Sequence, residues 1–345
     1  MSETPVPETV LPETPLIERP VPEIQLAEIP ALGRLYLGAA AAAAKAKISS
    51  PHASRELPAV RHVVRGARVD LDRLTDFQRL VLHSAQDYLP TGYVHTFAFP
   101  VAMSLMARED FPLPLLGMVH LSNRVQHLRP IHYAEPLTVT AWAENLAGHR
   151  AGTRVDLLAE VSAGRGEVVW RGRSTYLAKG VFLPRLDRPE ERGPRSDFVP
   201  PLPTALWRLG ADAGRNYAKV SGDFNPIHLS SLSAKALGMK RSIAHGMYLA
   251  SRVVSDAAPA LSDPYEWTIN FEAPVFLPAT VAVAIRIGGP IDGAVSVGGA
   301  GPIGEAGPIG EAAPIGEAAP AESRFTGWNP KSQRRHFSGT VRPLG

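Results

Sequence analysis

Cysteine is missing from all 345 residues, so neither disulfides nor thiolate chemistry is available to this chain. The amino terminus, Met-Ser-Glu-Thr-Pro, has neither the basic start nor the apolar core of a signal peptide. The alanine run Ala39 to Ala44 is far too short to span a membrane. A cytoplasmic protein without membrane contact is therefore expected. Charge of one sign is also scarce. Thirty-six Lys and Arg against 33 Asp and Glu leave a formal charge of +3, enough for a modest pull on nucleotide phosphates or an acidic carrier protein. The basic residues form no stripe interleaved with aromatics, which argues against a nucleic-acid partner.

A hydrophobic content of 45% and a charged content of 20% are those of a globular protein, and the length suits two domains with cores of their own. Residues 1–55 read as a tail and a short helix. Glutamate recurs every five residues from Glu3 to Glu28, and residues 1–30 hold seven prolines, a composition that favours extended, solvated chain. Leu32 to Lys47 then has the composition of a short helix. A first folded unit is expected over 56–182. It holds a helix over Thr75 to Tyr88 capped by Thr75 or Asp76, and strands over Leu137–Ala143, Arg154–Val161 and Gly166–Ala178. The proline- and charge-rich stretch 183–203 reads as a linker, and a second unit follows over 204–345. Within the second unit, 288–323 reads as a low-complexity insertion between strands Val281–Ile287 and Arg324–Pro343. It contains Gly-Pro-Ile-Gly-Glu-Ala twice and Ala-Pro-Ile-Gly-Glu-Ala once, too few turns for a stable hexapeptide solenoid.

The chemistry-bearing feature lies between Tyr217 and Ala250. Asn225 before Pro226 is an N-cap followed by a proline at the first helical position, so a helix is expected to run on through Leu229 to Leu237 and stop at Gly238. His228 falls in its first turn, where the helix dipole favours the neutral imidazole. Asp223 sits just outside, beside Gly222. After His245 and Gly246, the residues Met247, Leu249, Ala250, Val253 and Val254 mark a second, largely buried helix. Its first N–H groups lack intrahelical acceptors and can face an oxygen that gains negative charge. A carboxylate, a histidine and an oxyanion site are what enolate chemistry beside a thioester requires. Taken alone, Asp223 and His228 also suit a buried structural pair. Two histidines and an aspartate suit a metal as well, but no third ligand follows at helical spacing and His-Glu-x-x-His is absent, so no metal is expected.

Ser221 to His228, Ala244 to Ala250 and the apolar stretch Ile269 to Val283 together resemble the MaoC-like family, the (R)-specific enoyl-CoA hydratases and 3-hydroxyacyl-thioester dehydratases. The resemblance implies an α+β, double hot-dog fold, with two antiparallel sheets each wrapping a central helix. It implies a hydro-lyase in fatty-acid metabolism that needs no cofactor. Asp223 and His228 become the catalytic dyad and Gly246 the oxyanion donor. Ser221, Asn225, His245 and Met247 become candidate supporting or substrate-binding residues. Where relatives often place a small polar residue two turns into the central helix, this chain has Ser251, Val253 and Val254. The partner is a thioester of coenzyme A or of acyl carrier protein, and a homodimer is possible. A non-catalytic acyl-thioester-binding subunit and a hot-dog thioesterase are the alternatives.

The two units also resemble each other. Pro130-Ile131 and Leu137 to Val139 match Pro274-Val275 and Val281 to Val283 at an offset of 144, and Val94 to Phe99 matches Ala244 to Leu249 at an offset of 150. Residues 56–95 hold no copy of the Gly-Asp-x-Asn-Pro-x-His string. One site per chain is expected, with a silent first unit that lends a wall to the acyl pocket. Lys240 and Arg241 suit either a coenzyme A phosphate or ordinary solvation.

Overall fold

The computed structural model describes residues 21–46, 54–188, 198–257, 264–287 and 322–344. The chain runs through β1 (Glu23–Leu26), α1 (Leu32–Ala46), β2 (Arg61–Ala67), α2 (Leu71–Val81), α3 (Thr91–Met106), β3 (Met118–His127), β4 (Leu137–His149), β5 (Gly152–Ala163) and β6 (Glu167–Lys179). It continues through β7 (Ala205–Leu209), α4 (Ala213–Ser221), α5 (Pro226–Leu229), α6 (Ser231–Ala236), α7 (Gly246–Ala257), β8 (Tyr265–Phe271), β9 (Ala279–Ile287), β10 (Ser323–Trp328) and β11 (Arg335–Pro343).

Alternation builds the strands. In β5, Val155, Leu157, Ala159 and Val161 turn inward, while Glu160 faces outward and meets Arg171, its register partner on β6, at 2.8 Å. The strand order is β1-β2-β4-β5-β6-β3-β8-β11-β10-β9-β7. Inward from β2 and inward from β7, the strands follow the same sequence of connections. The expected two sheets thus join edge to edge through the antiparallel β3–β8 pair into one sheet of 11 strands. One central helix lies against each half: α3 on β2, β4, β5 and β6, and α7 on β8 and β10. The two helices cross where Gly92 faces Ser251. Ser251 spends its hydroxyl on the Met247 carbonyl of its own helix, at 2.6 Å. At the seam, Thr91 Oγ1 accepts the indole N–H of Trp170 from one half and of Trp267 from the other, both at 3.1 Å.

Several local expectations need correction. The last part of the Pro/Glu tail is not solvated. Residues 23–26 form β1, parallel to β2, because Ile24 and Leu26 alternate toward the core while Glu23 and Gln25 face outward to bind Arg65. Helix α2 starts at Leu71 under an Asp70 cap that accepts from Asp72 N and Arg73 N, and Leu82 ends it in a left-handed conformation, φ 59°. Thr75, the expected cap, instead bonds back to the Leu71 carbonyl. The single strand expected over Arg324–Pro343 is a hairpin of β10 and β11, turned by Asn329 Oδ1 accepting from Lys331 N and Ser332 N. The Gly-Pro-Ile-Gly-Glu-Ala repeats and much of the expected linker lie outside the described residues. Ile287 and Ser323 are register partners, so the inserted stretch leaves and rejoins the sheet at one point. Among the described residues, no helix is long and apolar enough to cross a membrane.

Candidate active site

The site is built on two successive chain reversals. Helix α4 ends in Gly222, which takes φ 76° and returns its N–H to the Ala218 carbonyl at 2.8 Å. Ser221 Oγ donates to the Tyr217 carbonyl and accepts the Asp223 N–H at 3.1 Å. Asp223 Oδ1 accepts the Asn225 N–H at 3.2 Å, and Asn225 Oδ1 accepts the Ile227 N–H at 3.3 Å with Pro226 opening α5. These bonds fix the carboxylate and His228 on one side of the turn. The expected longer helix is broken at Ser230, whose extended backbone ends α5 and whose side chain caps α6. Gly238 then reverses the chain with φ 80°, as expected.

The second reversal brings in His245. His228 Nδ1 donates to the Ile243 carbonyl at 2.9 Å, which leaves its Nε2 without a hydrogen in the neutral ring. His245 Nε2 donates to the Asp223 carbonyl at 3.0 Å and lies 3.6 Å from Asp223 Oδ2. The two imidazoles stack with centroids 3.6 Å apart. Burial lowers the His228 pKa, against the pull of Asp223, and burial followed by the nearness of His228 puts that of His245 well below its usual value. The neutrality expected of His228 therefore comes from burial. Helix α5 has only four residues, too few for much of a dipole.

Asp223, His228 and His245 each offer one possible ligand atom within 4.8 Å of the others. These are the two histidines and the aspartate of the sequence, brought together by the second reversal rather than by helical spacing. The Nε2 hydrogen of His245 is committed to the Asp223 carbonyl, however, so that nitrogen offers a metal no lone pair.

Gly246 opens α7 as expected, and its surroundings are tight. A Cβ there would meet Cε1 and Cζ of Phe271 at 3.0 Å. Met247 is buried and its Sδ accepts the Asn123 amide from β3 at 3.2 Å. Phe271 leads on to His120, 5.0 Å away, and His120 stacks on Tyr176 at 4.5 Å. Tyr176 belongs to the first half and lines a cleft with His95, Ala98, Leu157, Ala159 and Trp170 between α3 and β5–β6. Its phenol is pushed up by burial and then by the Asp223 carboxylate.

Two further findings depart from the sequence reading. His95 and His245 are not counterparts, because His95 lies inside α3 while His245 precedes α7. And Tyr36 of α1, unanticipated, donates its hydroxyl to Asp223 Oδ1 at 2.8 Å. Lys240 and Arg241 are exposed on the segment between α6 and α7.

Residues 191–302, which carry most of this site, match the MaoC like domain. The chain is 35% identical over 202 residues to 3-hydroxyacyl-thioester dehydratase X of Mycobacterium tuberculosis, a match covering 58% of this chain and 70% of that protein. It is 32% identical over 84 residues to the (R)-specific enoyl-CoA hydratase of Aeromonas caviae, covering 23% of this chain and 63% of the other. A crystal structure of HtdX from Mycobacterium tuberculosis superposes with a TM-score of 0.63 at 28% identity, covering 82% of this chain and 99% of that one. The MaoC-like dehydratase from Phytophthora capsici shares the fold alone, with a TM-score of 0.56 at 14% identity over 82% of this chain and 95% of its own. The matched domain includes the turn that holds Asp223 and His228, and the superposition takes in 82% of the chain; this chain belongs to the MaoC-like dehydratase family.

Proposed function

We propose that this chain is a hydro-lyase that reversibly adds water across the C2–C3 double bond of a 2-enoyl thioester, giving a (3R)-3-hydroxyacyl thioester. The observation that carries the reading is the pairing of a carboxylate oxygen with an imidazole nitrogen that has no hydrogen. Asp223 and His228 offer such atoms within 4.8 Å of each other, with Nε2 the acceptor nitrogen of His228, so in this reading a water between them donates one hydrogen to each and turns a lone pair outward.

As that oxygen bonds to C3, Asp223 takes its proton, and the electrons of the double bond move toward the thioester carbonyl. The N–H of Gly246 meets the oxygen that gains charge, a contribution of about 3 kcal/mol for a well-aimed donor. A proton then returns from the Asp223–His228 pair to C2, His228 holding the geometry of the transfer, and both groups end as they began. The thioester itself acidifies C2, so no step calls for a cofactor.

The first half holds no copy of the Gly-Asp-x-Asn-Pro-x-His string. The turn after Leu82, which takes the place of Gly222, carries His83, Ser84, Gln86 and Asp87, and there His83 bonds to the Ser84 carbonyl and the Gln86 amide rather than to Asp87. In this reading the first half lends a wall to the acyl pocket rather than a second set of reacting groups. The thioester is carried by coenzyme A or by acyl carrier protein, and crotonyl groups on each carrier distinguish the two. The test is loss of enoyl absorbance on adding the purified chain to crotonyl-CoA, with a thiol reagent in a parallel sample. Absorbance loss without free thiol supports the reading. Thiol release would make the chain a thioesterase, and neither signal would leave a binding subunit.

A further inference from the structure

We infer that Tyr36 is a positioning residue for Asp223, delivered to the site by the amino-terminal segment, and that it selects which carboxylate oxygen acts as the base. This rests on the hydratase reading above.

The two oxygens of Asp223 are not equivalent. Oδ1 accepts the Tyr36 hydroxyl at 2.8 Å and the Asn225 N–H at 3.2 Å. Both of its in-plane lone pairs are used. Oδ2 faces the imidazole side, 3.6 Å from His245 Nε2, and keeps lone pairs for a water. Without the phenol, only one backbone N–H holds Oδ1, and the carboxylate is free to turn about its χ2, a torsion with a broad and roughly two-fold profile.

Tyr36 does not arrive by chance packing. Leu32 and Tyr36, one helical turn apart, are 2% and 8% exposed, whereas Leu37 is 73% exposed, so α1 docks by the face that carries the tyrosine. The segment before it is anchored by the β1–β2 pairing at the far edge of the first half. From there it crosses α3 to reach a carboxylate 187 residues away in the sequence. Burial and then the Asp223 charge push the phenol up, so it remains a donor throughout the working pH range.

The experiment is Tyr36→Phe in the full chain, read by kcat and KM for crotonyl-CoA and by thermal unfolding. The phenyl ring keeps the packing and removes only the donor. The expected result is a fall in kcat of tenfold or more, with KM within about twofold and an unchanged unfolding midpoint, the split expected when ground-state binding is untouched. An unchanged kcat overturns the inference. A raised kcat overturns it too and makes Tyr36 an obstruction. A joint fall in kcat and unfolding midpoint with a raised KM reduces Tyr36 to packing. An inert parent chain removes the hydratase reading and the inference together, whereas an active parent with an unaffected variant removes only the inference.

Discussion

Gly246→Ala separates the chemistry of the α7 terminus from its packing. The new methyl meets Phe271 Cε1 and Cζ at 3.0 Å and Cδ1 at 3.3 Å, closer than the ~3.5–4.0 Å of an ordinary carbon contact. Phe271 is half-buried and abuts His120, so its ring has to retreat by a few tenths of an ångström against a neighbour. Such overpacking costs about 1 kcal/mol at the mild end of its range. Alanine in a helix gains up to about 1 kcal/mol over glycine. The two nearly cancel, and the unfolding midpoint is expected to stay within a few degrees of the parent. The rate is not protected by that cancellation. Alanine keeps the backbone N–H, but in the proposed site its methyl holds the thioester carbonyl off that donor, and losing an aimed donor costs about 2.7–4 kcal/mol, or roughly 100- to 1,000-fold in kcat. Steady-state hydration of crotonyl-CoA and thermal unfolding of the same sample read both effects. Adding Phe271→Leu relieves the contact without restoring the rate. A Gly246→Ala variant that hydrates at the parent rate would refute the oxyanion assignment, and rescue by Phe271→Leu would make the defect one of packing.

Three more outcomes follow from the structure. His228→Ala removes the water-orienting Nε2 and the ring stacked on His245, and should lower kcat by at least about 100-fold while the folded circular dichroism spectrum survives; an unaffected rate would remove His228 from the chemistry. Thr91→Val keeps the shape but strands the indole N–H groups of Trp170 and Trp267, for a loss of roughly 2–4 kcal/mol in urea unfolding; a loss below about 1 kcal/mol would mean water replaces the hydroxyl. Burial pushes His95 down to about 4, below its unfolded value, so above pH 6.5 it is neutral in both states. Between pH 6.5 and 4 only the unfolded chain binds its proton, and stability falls as pH falls, by about 3 kcal/mol in total. His95→Gln should make that slope shallower between pH 6.5 and 5 by the share of this one histidine; an unchanged slope would mean His95 is charged in the folded protein.

What the sequence discloses about this site is what short-range geometry controls. Asn225 caps its own turn, Gly222 and Gly238 take left-handed conformations, and Gly246 opens a helix, each within a few residues of its partners. The strands are equally legible because β5 alternates, β4 does so over its first five residues, and β6 is rich in apolar and β-branched residues. Legibility fails where partners are distant or phase is lost. Tyr36 reaches Asp223 from α1, 187 residues away, and no spacing connects them. Helix α3 is buried almost all round, so its apolar run has no polar face to fix a register, and the offset of 150 paired His95 with the wrong position. Asp70 outcompetes Thr75 as a cap because it precedes the first turn, while Thr75 lies within the helix. β1 was hidden by its prolines and glutamates; only Ile24 and Leu26 gave it a core-facing side.

The central claim is that Asp223 is the base in a hydration reaction. Asp223→Asn keeps an acceptor for Tyr36 and Asn225 and replaces the free oxygen by an amide that cannot take a proton, so the turn should hold. Measured by loss of enoyl absorbance with crotonyl-CoA, kcat should fall by about 100- to 10,000-fold with the unfolding midpoint little changed. Hydration by Asp223→Asn at the parent rate would contradict it.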